Sequence, residues 1–156
     1  NGVRSELCDR VGIVHMPGQD ALGVLQVNVR TALTDIHDGS SNTILVTECV
    51  GRPDEWRGRR RFPFGPPPRV GGGAWIDRNN EFVLDGATAD GNTIGGPNAN
   101  CAVNCTNRNE PFALHPAGAN FLFGDGSVRL VSQQVSIYVV SAMITASGGE
   151  AVTLPD

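Results

Sequence analysis

The 156-residue sequence contains no lysine; all twelve basic side chains are arginine. Sixteen carboxylates outnumber them, and the formal net charge of −4 gives no electrostatic reason to expect a nucleic-acid partner. No apolar run approaches the roughly 20 residues that cross a bilayer, so no membrane span is expected. Aromatics make up only 6% of the residues, thin for a sugar-stacking platform. Histidines are few, at positions 15, 37 and 115. The sequence has no G-x-S-x-G elbow, no H-E-x-x-H helix and no phosphate-cradling glycine loop. A non-catalytic protein is the expectation. The chain opens at Asn1 rather than Met and is read as a processed or truncated product.

Glycine and proline are plentiful, at 20 and 10, in a chain that is 40% hydrophobic and 18% charged. That composition favours turns, long loops and a β-rich single domain over 1–156. Val24–Val29 reads as a strand, and Thr34–Gly39 as a short helical turn capped by Thr34. Asn42–Val50 is the strongest strand, rich in β-branched residues. Residues 51–73 and 85–110 read as irregular excursions, the first carrying Arg59, Arg60 and Arg61. That arginine run is expected to meet acidic neighbours, with Trp56, Phe62 and Phe64 pinning the loop to the body. Residues 74–84 suggest a hairpin, with Trp75 on a strand. Ile137, Val140, Met143 and Ile144 recur at helical spacing after Ser132 or Ser136, with Gly148-Gly149 as terminator. Ala151–Leu154 reads as a closing strand. The fold class expected is α+β: a mainly antiparallel sheet, long loops and one C-terminal helix.

The stretch HPAGANFLFGDGSV, from His115 to Val128, poses a choice. His and Asp are common acid/base partners, which suggests a dyad. Yet Phe121-Leu122-Phe123 is strand-like, Asp125-Gly126 is a hairpin turn, and Val128–Val131 returns. Six or more extended residues at about 3.3 Å each would hold His115 and Asp125 roughly 20 Å apart. The expected role is structural, with His115 and Asn120 orienting the entering loop by hydrogen bonds to backbone or to Glu48. The four cysteines suit one or two disulfides in an oxidising compartment, Cys101 with Cys105 and Cys8 with Cys49. A four-cysteine zinc site is disfavoured because only one pair is close. Asn104-Cys105-Thr106 matches a glycosylation triplet. Asp38, Asp85, Asp90 and Asp125, with Asn42 and Glu48, offer oxygen ligands for a structural Ca²⁺, though Asp-Gly pairs are ordinary turn chemistry. No cofactor is expected. Trp56, Trp75 and the 85–110 loop are the surface on which a carbohydrate or other solute would bind.

Three landmarks in order carry a resemblance. They are Asp35–Glu48 (DIHDGSSNTILVTE, containing Asp38, Gly39, Asn42 and Glu48), His115 with nine residues before Asp125-Gly126, and Gly148-Gly149-Glu150. Together they resemble the domain of unknown function 1559 family, a large bacterial family abundant in planctomycetes. Its C-terminal piece is described as a prepilin-associated H-X9-DG domain, and its members are also labelled solute-binding proteins. The resemblance covers residues 24–50 and 113–154. It implies the C-terminal part of a pilin-like head: a secreted, cell-surface subunit of a filament or secretion apparatus. The partners implied are other protein subunits, a missing N-terminal region of the same protein, or further copies of the chain. The alternative function is an extracellular carbohydrate- or solute-binding module.

Overall fold

The computed structural model describes residues 1–62, 70–150 and 152–154. Its centre is the hairpin of β7 (Gly118–Phe123) and β8 (Val128–Ser132), to which β3 (Ile44–Thr47) adds antiparallel on the far side of β7. Alternation decides the faces. Ala119, Phe121, Phe123 and Val131 point inward and are buried, whereas Leu122, Val128 and Leu130 face out. Gly118 is required by close approach, since a Cβ there would collide with the carbonyl of Val131. At the other end Phe123 and Ser127 close a loop of three residues, one more than the two-residue Asp125-Gly126 turn expected. Gly126 takes φ +83° there, as the left-handed position of such loops demands.

The helix α2 (Ile137–Ile144) lays Val140, Met143 and Ile144 on the inner face of this sheet. Ser136 precedes it as the N-terminal flanking residue, and it ends where Thr145 turns extended, before the glycine pair expected to stop it. Thr145 bridges to Gly23. A second small sheet has the order β2-β1-β6, with β1 (Gly2–Val3) antiparallel to β2 (Ala21–Leu22) and parallel to β6 (Val83–Leu84). Between β1 and β2 runs α1 (Ser5–Val11), which buries Leu7 and Cys8 in the shared core. The class is α+β with small, mostly antiparallel sheets, and of the two α-helices among the described residues one is C-terminal.

Several local expectations give way to tertiary context. The helix α1 has no counterpart in the sequence reading, because seven residues with two buried side chains leave too short a period to see. Residues 24–29 are not a strand; Leu25, Val27 and Val29 are exposed, with no neighbouring strand to pair. The helical turn is a 3₁₀ turn at Leu33–Asp35, flanked by Ala32 rather than capped by Thr34. The 74–84 hairpin does not form. Arg78–Asn80 is a 3₁₀ turn held by the Asp77 carboxylate, and Val83–Leu84 pairs with β1 instead. Within the 51–73 excursion a short hairpin joins β4 (Trp56–Arg57) to β5 (Arg60–Arg61). Phe64 lies outside the described residues. Residues 152–154 are not a strand, though Val152 and Leu154 pack on the core; Ala151 lies outside the described residues.

Candidate functional site

The end of β3 delivers Glu48 against the start of β7. Its backbone N–H donates to the Asn120 carbonyl (3.1 Å), and its own carbonyl accepts from Phe112 N–H (2.9 Å). That ladder aims the carboxylate at three donors: Asn120 N–H at 2.7 Å, Asn120 Nδ2 at 3.0 Å and His115 Nε2 at 3.1 Å. With a carboxylate as its acceptor, Nε2 of His115 carries the proton. Partial burial works against the Glu48 charge. The hydrogen bonds from Asn120 and His115 outweigh it and hold the carboxyl below the usual carboxylate range. An anion so saturated is a poor base, and its geometry is that of a clamp.

His115 and Asp125 stand at opposite ends of β7 and use different partners. The Asp125 carboxylate accepts from Ser127 N–H (2.9 Å) and faces Arg129 (3.4 Å). No dyad forms between them. The other landmarks meet each other in the same way. Asp38 accepts from the N–H groups of Gly148 (2.8 Å) and Gly149 (2.9 Å). The carbonyls of Ser40 and Thr43 accept from Asp125 and Gly124 N–H (3.0 and 2.9 Å). Asn42 N–H and the Thr43 hydroxyl both donate to the Gly39 carbonyl, closing the turn that aims Asp38. The segment 38–48 therefore ties both ends of the β7–β8 hairpin and the turn after α2.

Cys101 and Cys105 form a disulfide. Cys8 and Cys49 do not pair with each other; both are free. Cys8 lies on the buried face of α1 with its thiol toward the Val3 carbonyl, while the Cys49 thiol faces the carbonyls of Asn107 and Glu110. Burial pushes both thiols up, so neither is an activated nucleophile. In the cystine loop and just past it stand two asparagines that sequence reading missed as structural anchors. Asn104, at φ +65°, accepts from Ala113 N–H (2.8 Å) and donates to the Gly118 carbonyl (3.0 Å). Its buried carboxamide is closed to glycosylation in the folded state. Asn107 accepts from Trp56 N–H and donates to the carbonyls of Val50 and Asp54, pinning the 50–56 segment. The only sequence signal for these roles is their place beside the cysteines.

Glu110 is wholly buried. One carboxyl oxygen accepts from Asp85 N–H (3.1 Å) and the other has no hydrogen-bond partner among the described residues. Burial pushes its carboxyl well above the ordinary range, against the hydrogen bonds from backbone N–H groups that favour the anion. Folded Glu110 therefore holds its proton at pH values where the unfolded residue has lost it. Its contribution to stability is full below about pH 4.3, the unfolded value, and is lost as pH rises toward the folded one. Glu110→Gln keeps the shape without that loss. Its melting temperature relative to wild type should rise steadily from pH 4 to pH 8 in parallel thermal melts. A constant difference would contradict protonated burial.

Of the arginine run expected to meet acids, Arg61 does so and Arg59 meets backbone instead, while the neighbouring Arg57 also finds an acid. Arg61 pairs with Asp54 (2.6 Å), Arg57 pairs with buried Glu55 (2.7 Å) and stacks on Phe62, and Arg59 donates to the Pro116 carbonyl (2.7 Å). Trp56 packs its indole on Gly51, whereas Trp75 is not on a strand and is 92% exposed. The oxygen ligands considered for Ca²⁺ are dispersed. Asp38 holds glycine amides, Asp85 pairs with Arg4 (3.2 Å), Asp90 serves Thr88 and Asn92, and Asp125 its own turn. Among the described residues no three His, Cys, Asp or Glu side chains converge as a metal site would need.

Residues 14–137 match a family model described as "Protein of unknown function (DUF1559)". No curated protein and no solved structure matches the chain.

Proposed function

The chain belongs to the DUF1559 family, and from that membership we propose that it is a non-catalytic structural or assembly protein of the cell surface, a pilin- or pseudopilin-like subunit of a filament or secretion apparatus. One observation carries the reading. The motif residues are engaged with each other as tertiary ties, Glu48 with His115 and Asn120, and Asp38 with Gly148 and Gly149. Residues whose polar atoms are saturated in this way hold a shape. They leave no nucleophile beside a free base. The Cys101–Cys105 disulfide supports an extracellular address, since such bonds persist in oxidising compartments. Among the described residues no helix is long and apolar enough to cross a membrane.

The face of the β3-β7-β8 sheet turned away from α2 supports protein contacts as the mode of action. Pairing places Val46 beside Leu122 and Leu122 beside Val128, and Val46, Val128 and Leu130 are 48%, 64% and 52% exposed. Such a patch suits burial against another subunit. The solute-binding alternative draws little from the tryptophans, because Trp56 is packed down and Trp75 stands in solvent.

The test is location. Antibody against residues 1–156 should label intact cells and follow the fraction sheared from their surface. Label confined to the cytoplasm would overturn the proposal.

A further inference from the structure

A cleft of about 600 Å³ lies where the cystine loop, the β4–β5 turn and the β8–α2 connection meet. That is ample for a small oligosaccharide, within the usual roughly 300–1,000 Å³ of ligand sites. Of its lining residues, Asn104 has its carboxamide engaged, Cys101 and Cys105 are bonded to each other, and Arg59 is tied to the Pro116 carbonyl. We propose that this cleft binds an acidic oligosaccharide, with Arg59 taking a carboxylate and the carboxamides of Asn98, Gln133 and Gln134 taking hydroxyls.

The chemistry of the lining points there. Carboxamides both donate and accept, which matches sugar hydroxyls. Cys101, Ala89 and the accessible edge of Val135 supply an apolar floor for the C–H face of a ring. Among the described residues the lining has one cation and no carboxylate, which favours an anion. Arg59 is held in place through a single nitrogen: Nη2 donates to the Pro116 carbonyl (2.7 Å) and to Gln133 Oε1 (3.4 Å). The rest of its planar fork has no partner among the described residues, and that fork fits a carboxylate bidentately. Asn98 and Gln134 are exposed, and their carboxamides likewise have no partner among the described residues.

A second cavity of about 450 Å³ adjoins, sharing Gly58 and Arg59 and lined by Arg57, Arg60 and Arg61. Its one carboxylate, Asp90, is occupied by Thr88 and Asn92. Because the two cavities share Gly58 and Arg59, a ligand held at Arg59 can reach from one toward the other, which favours a chain of acidic residues over a lone monosaccharide. The site is independent of the assembly role and stands whether or not that role holds.

The test is a nuclear magnetic resonance titration of the oxidised domain with trigalacturonate, with maltotriose as the neutral probe. Trigalacturonate should shift amides of residues 98–105 and 133–135, with maltotriose binding much more weakly. Arg59→Gln should weaken binding about tenfold, the scale of one charge-assisted fork. Gln134→Ala, on an exposed side chain that the fold does not use, should weaken it severalfold. Arg30→Ala removes equal charge from a loop outside the cleft and should change nothing. The proposal fails if wild type binds neither probe, if maltotriose binds equally well, or if Arg30→Ala weakens binding as much as Arg59→Gln.

Discussion

Asn104→Ala lowers stability by about 3–5 kcal/mol, because two buried backbone groups lose their partners at once and each costs about 1–3 kcal/mol. The groups are Ala113 N–H and the Gly118 carbonyl, both in buried residues beside the first strand of the hairpin. Alanine must also adopt the left-handed φ that asparagine tolerates, which adds roughly 1 kcal/mol. For a chain of this size the melting temperature should fall by about 10 °C or more. Asn104→Gly separates the two costs, since glycine accepts the backbone but makes neither hydrogen bond. It should recover only the smaller part in a thermal melt. Near-wild-type stability in Asn104→Ala would mean that water replaces the carboxamide, and that the cystine loop is not anchored through it.

Glu48→Ala has the second large effect, about 2 kcal/mol, or a fall of roughly 5 °C. The carboxylate is partly exposed, with 32% of its side-chain surface accessible, so its three hydrogen bonds count for less than buried ones. His115→Ala should cost less, because the imidazole is 44% exposed and supplies only one of the three donors. The pH dependence has a definite sign. The folded Glu48 carboxyl is held below its unfolded value, with the Asn120 and His115 hydrogen bonds prevailing over partial burial. Its stabilisation is therefore present above about pH 4.3 and lost as pH falls through the folded value. Glu48→Gln should flatten that acid limb. It should not restore wild-type stability at pH 7, because only one amide oxygen is left to face two Asn120 donors. If His115→Ala left stability intact but abolished binding of a ligand, the structural role assigned to this group would be wrong.

The parts legible in the sequence are those whose signals are local. The β7–β8 hairpin was readable because alternation and a turn glycine sit within fifteen residues. The helix α2 was readable from its apolar spacing, and the Cys101–Cys105 bridge from proximity in sequence. For His115 and Asn120 the sequence left backbone and Glu48 open as partners, and the fold supplies the Glu48 carboxylate. What it missed depends on distant partners. The strand β6 is two residues long and exists because β1 lies parallel to it, some eighty residues earlier. Cys8 and Cys49 count as a candidate pair only by number, and neither spacing nor composition says that one lies on the buried face of α1 and the other beside Asn107. Asn104 and Glu110 look like loop residues until the fold buries them. Trp75 has the pattern of a strand residue but no strand to pair with.

Residue-resolved amide hydrogen exchange tests the central claim, that the motif residues are tertiary ties. Asn120 N–H donates to the Glu48 carboxylate and Ala113 N–H to the Asn104 side chain. Both should exchange as slowly as the ladder amides of β7 and β8 in the wild type. Glu48→Ala should speed Asn120, and Asn104→Ala should speed Ala113, while the hairpin ladder stays protected. Exchange of Asn120 in the wild type at the rate of an exposed loop amide such as Val27 would contradict the account.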